Sequence, residues 1–112
     1  ITVHAAIAPD LPTLPDAARL AIYRAAQEGL TNAQRHARAT EIWLDLRRND
    51  GQLALTVRDN GAGLAAGDAG AAGFGLLGLR ERAAQLGGAL QLQPLSNGGA
   101  ELRFDLPVNE AR

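Results

Sequence analysis

Glu28, Asn32 and His36 recur at i, i+4 and i+8. On a helix that spacing sets them along one stripe, with Arg24 on the same line. A polar stripe on a helix is ordinarily a solvated face. The residue types argue against that here. Asn32 is a poor helix former, and so are its neighbours Gly29 and Thr31. A carboxylate and an amide oxygen on one face, with Arg35 beside them, can hold a hydrated Mg2+ and a phosphate.

Asp59 carries a second signal. It keeps the parity of Leu53, Leu55 and Val57, so on a strand it points to their apolar side. A carboxylate aimed there is costly unless it is hydrogen-bonded. Asp59-Asn60-Gly61 also suits a turn, in which the carboxylate would only cap the loop. As a binding group, Asp59 is an acceptor for an exocyclic amine in a concave site. Gly61 and Gly63 would then let backbone approach a flat ligand.

Gly73-Phe74-Gly75-Leu76-Leu77-Gly78 fits the spacing G-x-G-x-x-G. The dinucleotide-binding version of that motif needs a strand directly before it and an acidic residue closing the next strand. A Gly/Ala-rich stretch precedes it here and the following strand ends in Ser96-Asn97, so that reading is rejected. A glycine-rich entry to a helix still offers free N–H groups to an anion.

These residues need elements to position them. Ile1–Ala8 alternates loosely and reads as a strand. The prolines between Pro9 and Pro15 exclude regular structure. Pro15-Asp16 suits the opening of a helix that runs to about Ala37. Its apolar surface is read as Leu20, Ile22, Tyr23, Ala26, Leu30 and Ala33. Glu41–Arg47 alternates as a strand with Ile42, Leu44 and Leu46 on one side. Asn49-Asp50-Gly51 is a hairpin turn, and the return strand carries Leu53, Leu55 and Val57. Gly61–Gly75, in which 12 of 15 residues are Gly or Ala, is expected to be a mobile surface loop. Leu76–Leu86 reads as a second helix closed by Gly87-Gly88. Ala89–Leu95 and Glu101–Leu106 form a last hairpin, and Pro107 opens a tail. The order implies an α+β two-layer sandwich, with helices on one face of the sheet only.

Composition narrows the chemistry. The chain has 112 residues, enough for one core. It has no Cys, which excludes a thiol nucleophile and Cys-ligated metals and fits a reducing compartment. All 11 basic residues are arginine, so a catalytic lysine is excluded and any cationic phosphate contact must use arginine. The net charge of −1 gives no bulk field for nucleic acid or anionic lipid. No apolar run approaches the length of a membrane span. With no Met, even at position 1, the chain is expected to be a domain of a larger protein.

Taken in order, three segments resemble the ATP-binding domain of the GHKL (Bergerat-fold) family. QEGLTNAQRHARAT (Gln27–Thr40) is similar to its N-box, DNGAG (Asp59–Gly63) to its G1 box, and GFGLLGLRERAAQLGG (Gly73–Gly88) to its G2 region. NGGAELRFDLP (Asn97–Pro107) is similar to its closing strand. The arrangement resembles the catalytic domain of two-component sensor histidine kinases, in the nitrate-sensor-like subfamily. The resemblance implies a mixed sheet in a domain over residues 1–107, with 108–112 as a tail.

It also implies roles. Asn32 would ligate the Mg2+ that bridges the phosphates of ATP. Glu28 would position metal or water, directly or through a water. Asp59 would accept from the adenine amino group, with Gly61 and Gly63 close to the base. Arg35 stands where the family usually has a phosphate-contacting lysine, and His36 would lie near ribose or phosphates. Gly73, Gly75, Leu76 and Gly78 would form the phosphate-side edge of a lid. Ala100 departs from the family pattern, which carries threonine there; by parity with Leu102, Phe104 and Leu106 it faces inward, removing one polar contact near the base.

The implied activity is transfer of the γ-phosphoryl group of ATP to a histidine on a separate dimerisation domain, and from there to a response regulator. That places the domain in the cytoplasm, with no nucleic acid partner and no membrane contact of its own. Neither His4 nor His36 has the setting of the acceptor. Two alternatives are an anti-sigma-type serine kinase of the same fold and a nucleotide-free interaction module. Trp43 shares the polar sheet face with Glu41 and Asp45 and is expected to lie flat under arginine stems such as those of Arg47 or Arg58, or else to contact another domain.

Overall fold

The computed structural model describes residues 2–9, 11, 13–35, 39–61, 73–96 and 98–107. Along the chain these form β1 (Thr2–Ile7), α1 (Asp16–Arg35), β2 (Glu41–Asn49), β3 (Gln52–Asp59), α2 (Gly73–Gln85), β4 (Ala89–Pro94) and β5 (Ala100–Pro107). The strands make one sheet in the order β1-β2-β3-β5-β4. β1 runs parallel to β2, and every other pairing is antiparallel. The sheet is therefore mixed. α1 packs on β2, β3 and β5, and α2 on β4 and β5.

Local chemistry sets the boundaries. The Arg19 N–H donates to the Pro15 carbonyl at 3.1 Å, so α1 starts directly after its proline. The β2–β3 hairpin turns through Asp50 (φ 49°) and Gly51 (φ 78°), the paired positive values of a tight two-residue turn. α2 ends in a left-handed Gly87 (φ 81°), with Gly88 N–H on Ala83 O at 2.8 Å and Gly87 N–H on Ala84 O at 3.0 Å. Those two bonds satisfy carbonyls that the helix end would otherwise leave free. At the other end α2 begins at Gly73 rather than Leu76, so Gly73 and Gly75 lie in its first turn instead of a preceding loop. The rest of the expected mobile loop, residues 62–72, lies outside the described residues.

One expectation is corrected. The sheet side of α1 is not the row of large residues. Ala18, Ala21, Ala25 and Ala33 are buried, with Gly29 in the same stripe. Leu20 and Tyr23 are 50% and 61% exposed. The reason is proximity: a Cβ on Gly29 would stand 2.8 Å from Val57 Cβ. Small side chains let α1 rest on β3, and Ile22, Ala26 and Leu30 pack half-buried on the flanks. Opposite them the strands bury Ile42, Leu55, Val57, Leu102, Phe104 and Leu106.

The other sheet face is open and charged. Arg103 pairs with Asp105 at 3.0 Å, and that carboxylate pushes the guanidinium pKa further up. Trp43 is half-buried on this face, and the His4 ring stacks on it with centroids 5.6 Å apart and planes 14° apart. His4 Nε2 also meets Glu41 Oε2 at 3.0 Å. The aromatic cover thus comes from β1, a source the strand parity of β2 alone did not indicate. No described helix is long and apolar enough to cross a membrane.

Candidate nucleotide-binding site

Asp59 closes β3 on the helix-covered side. It is 6% exposed and the only buried charged residue among those described. Its Oδ1 accepts from the Gly61 N–H at 2.9 Å. The carboxylate therefore caps its turn while facing the apolar layer.

Asn60 holds the turn in place. Its Oδ1 accepts from the N–H groups of Thr40 and Glu41, each at 3.0 Å, and its Nδ2 donates to Thr40 Oγ1 at 2.9 Å. Its own N–H donates to Glu41 O at 3.3 Å. Sequence reading took Asn60 only as a turn former; its parity opposite Asp59, toward the open face, was the available signal. Just before β5, Gly99 presses on the same point. A Cβ there would lie 1.8 Å from the Asp59 carbonyl oxygen and 3.3 Å from Oδ1. Ala100, 6% exposed, faces inward as its parity requires.

The stripe on α1 grades from wet to dry. Arg24 is exposed, Glu28 is half-buried, and Asn32 is half-buried with its Nδ2 buried and without a hydrogen-bond partner. Helix geometry explains the gradient, since each i+4 step turns about 40° around the axis. The stripe winds from solvent at Arg24 toward the sheet at Asn32. A buried amide end with no partner among the described residues costs about 1–3 kcal/mol, which makes it a candidate contact for a ligand or a water.

Between α1 and α2 lies a groove of about 590 Å3, within the usual range for small-molecule sites. Arg24, Glu28 and Thr31 line one wall, and Gly78, Leu79 and Arg82 the other. The structure thus brings Glu28 and Gly78 together on a single groove. Asn32 follows Glu28 one turn on, and Asp59 stands separately at the end of β3. A Cβ on Gly78 would meet nothing within 4 Å among the described residues, so none of them requires a glycine there. Arg35 ends α1, but its side chain lies outside the described set, as does that of Leu76. His36 and Gly63 are likewise outside it. Arg82 was missed by sequence reading, because nothing along the chain shows that it faces α1.

No group of three or more His, Cys, Asp or Glu side chains among the described residues could hold a metal ion. The donor set that exists is Glu28 and Asn32, two oxygens a turn apart. That suits Mg2+, which keeps several waters and takes one or two protein oxygens together with substrate phosphates.

Residues 17–110 match the family described as "Histidine kinase-, DNA gyrase B-, and HSP90-like ATPase". The signal transduction histidine-protein kinase/phosphatase UhpB of Salmonella typhimurium is 40% identical over 83 residues, which are 74% of this chain and 16% of UhpB. The histidine kinase domain of the blue-light activated histidine kinase EL346 from Erythrobacter litoralis superposes with a TM-score of 0.79 at 26% identity, over 96% of this chain and 51% of that one. Full-length ShkA in complex with AMPPNP gives a TM-score of 0.77 at 28% identity, over 98% of this chain and 26% of that one. The chain therefore spans about a sixth of its curated relative UhpB. A mixed five-stranded sheet with two described helices on one face, and the family match over residues 17–110, lead to one conclusion: the chain belongs to the histidine kinase-, DNA gyrase B- and HSP90-like ATPase family, as an ATP-binding domain of the sensor histidine kinase kind.

Proposed function

We propose that this domain binds Mg2+ and ATP between α1, the start of α2 and the end of β3, and presents the γ-phosphoryl group to a histidine on a separate dimerisation domain of its parent protein. A response regulator would take the phosphoryl group afterwards, and the domain would work in the cytoplasm. The observation that carries this reading is the partnerless buried amide of Asn32, one turn from Glu28. Asn32 would donate to a phosphate oxygen through Nδ2 and offer Oδ1 to the metal or its water. Glu28 would accept from the metal's water shell. When bound, Mg2+ neutralises phosphate charge. Asp59, held through Oδ1 by Gly61, would accept the adenine amino N–H with its other oxygen. Arg35 and His36 would lie at the phosphates and ribose. The N–H groups opening α2, at Gly73, Gly75 and Leu76, would face the phosphates with the positive end of the helix dipole. Gly78 would leave room beside them, and Gly63 would lie against the base. Catalysis would then be positioning and charge stabilisation rather than covalent chemistry by this domain.

Calorimetric titration with AMPPNP and Mg2+ tests the reading. The wild-type domain is expected to bind, and Asn32→Ala to lose the metal-dependent part of the affinity. No binding by the wild-type domain would overturn it. One observation favours a nucleotide-free interaction module instead: inward-facing Ala100 offers no hydrogen bond beside Asp59. The same titration decides between the two.

A further inference from the structure

Two arginines face each other across the α1–α2 groove, and the roles above use neither. Arg24 comes from α1 and Arg82 from α2. Both side chains are exposed, and neither has an ion-pair partner among the described residues. Other arginines of this chain do find carboxylates: Arg19 with Asp16, Arg47 with Asp45 and Arg103 with Asp105. Among the described residues Glu28 is the one carboxylate lining the groove, so there two described cations oppose one anion. A structural account covers part of this. Arg82 lies in the last turn of α2, where a cation suits the helix dipole. That preference would be met equally with the side chain in open solvent, and it does not apply to Arg24.

We propose that Arg24 and Arg82 clamp the terminal phosphate of the nucleotide, so that the site tells a nucleoside triphosphate from a diphosphate. This rests on the nucleotide reading above. The stripe carries the argument. From Asn32 through Glu28 to Arg24 it runs about 12 Å along the helix, and a phosphate chain anchored at Asn32 that followed the stripe into the groove would approach the pair. The guanidinium fork matches two phosphate oxygens at once, and cations from two helices can grip one group from both sides. A diphosphate would stop short of the pair. The clamp also supplies cationic charge at the far end of the groove, in a chain that has no lysine.

The test compares AMPPNP with ADP, each with Mg2+, by calorimetric titration of the wild-type domain, Arg24→Gln, Arg82→Gln and the double variant. Thermal melts confirm that each variant is folded. Wild type is expected to bind AMPPNP more tightly than ADP. Each single variant should weaken AMPPNP about tenfold, leave ADP within about twofold, and so erase the preference. Equal losses for the two nucleotides, no loss for either, or a wild type without preference would each overturn the clamp while leaving the nucleotide reading standing. A wild type that binds neither nucleotide would overturn the nucleotide reading itself, and the clamp with it.

Discussion

Asp59→Asn exchanges one oxygen for an amino group and leaves the shape almost unchanged. The side chain is 6% exposed and held by a 2.9 Å bond from the Gly61 N–H. Asparagine can keep that bond through its own oxygen, so the turn survives. Its amino group then occupies the position of the oxygen assigned to the adenine amine, and two donors meet. The loss is that of a hydrogen bond to a charged acceptor, about 1.5–3 kcal/mol, which corresponds to about 10- to 150-fold in affinity. Folding should respond in the opposite sense. A buried carboxylate becomes a neutral amide, so the melting temperature should stay level or rise. The decisive assay adds inosine triphosphate, whose 6-oxo group accepts where adenine donates. Wild type should prefer ATP, and Asp59→Asn should narrow or reverse that preference, because a hydrogen-bonding site discriminates strongly against a mismatched partner. Equal weakening of both nucleotides would mean that Asp59 acts on the fold rather than the base. An ATP affinity within about threefold of wild type would refute the assignment outright.

Two supports of Asp59 and the end of α2 make three further predictions. Asn60→Ala removes the hydrogen bonds to Thr40 and Glu41; because the site is exposed, a cost of about 1–2 kcal/mol is expected from urea midpoints, with weaker nucleotide binding as the turn loosens. Gly99→Ala asks for a Cβ 1.8 Å from a carbonyl oxygen, so β5 must move from β3, and both the melting temperature and nucleotide affinity should fall; retention of either at the wild-type value would contradict the geometry. Gly87→Ala forces a side chain into φ 81° at the end of α2 and should cost about 1–2 kcal/mol by chemical denaturation; a denaturation midpoint at the wild-type value would contradict the left-handed cap.

Strand parity was legible because alternation is a local property of an extended chain. Asp59, Ala100 and the core row Leu53, Leu55 and Val57 all face as their spacing requires. The hairpin at Asp50-Gly51 and the stop at Gly87-Gly88 were legible for a related reason, since a left-handed backbone needs particular residues. The face of α1 was not. Large apolar residues normally mark a helix's buried side, but here closeness to β3 selects alanine and glycine and turns Leu20 and Tyr23 outward. No pattern within one helix reveals how near its neighbour lies.

The sequence by itself determined the order of elements, the inward direction of Asp59 and the polar stripe from Arg24 to Asn32, because each depends on residues close together in the chain. Only the tertiary structure decided the depth of that stripe, which leaves Arg24 wet and the Asn32 amide buried without a partner. It alone placed Arg82 across the groove from Arg24 and set Gly99 against Asp59. Those relations join residues far apart in the chain, and they exist only once α1, α2 and β5 have packed onto one sheet.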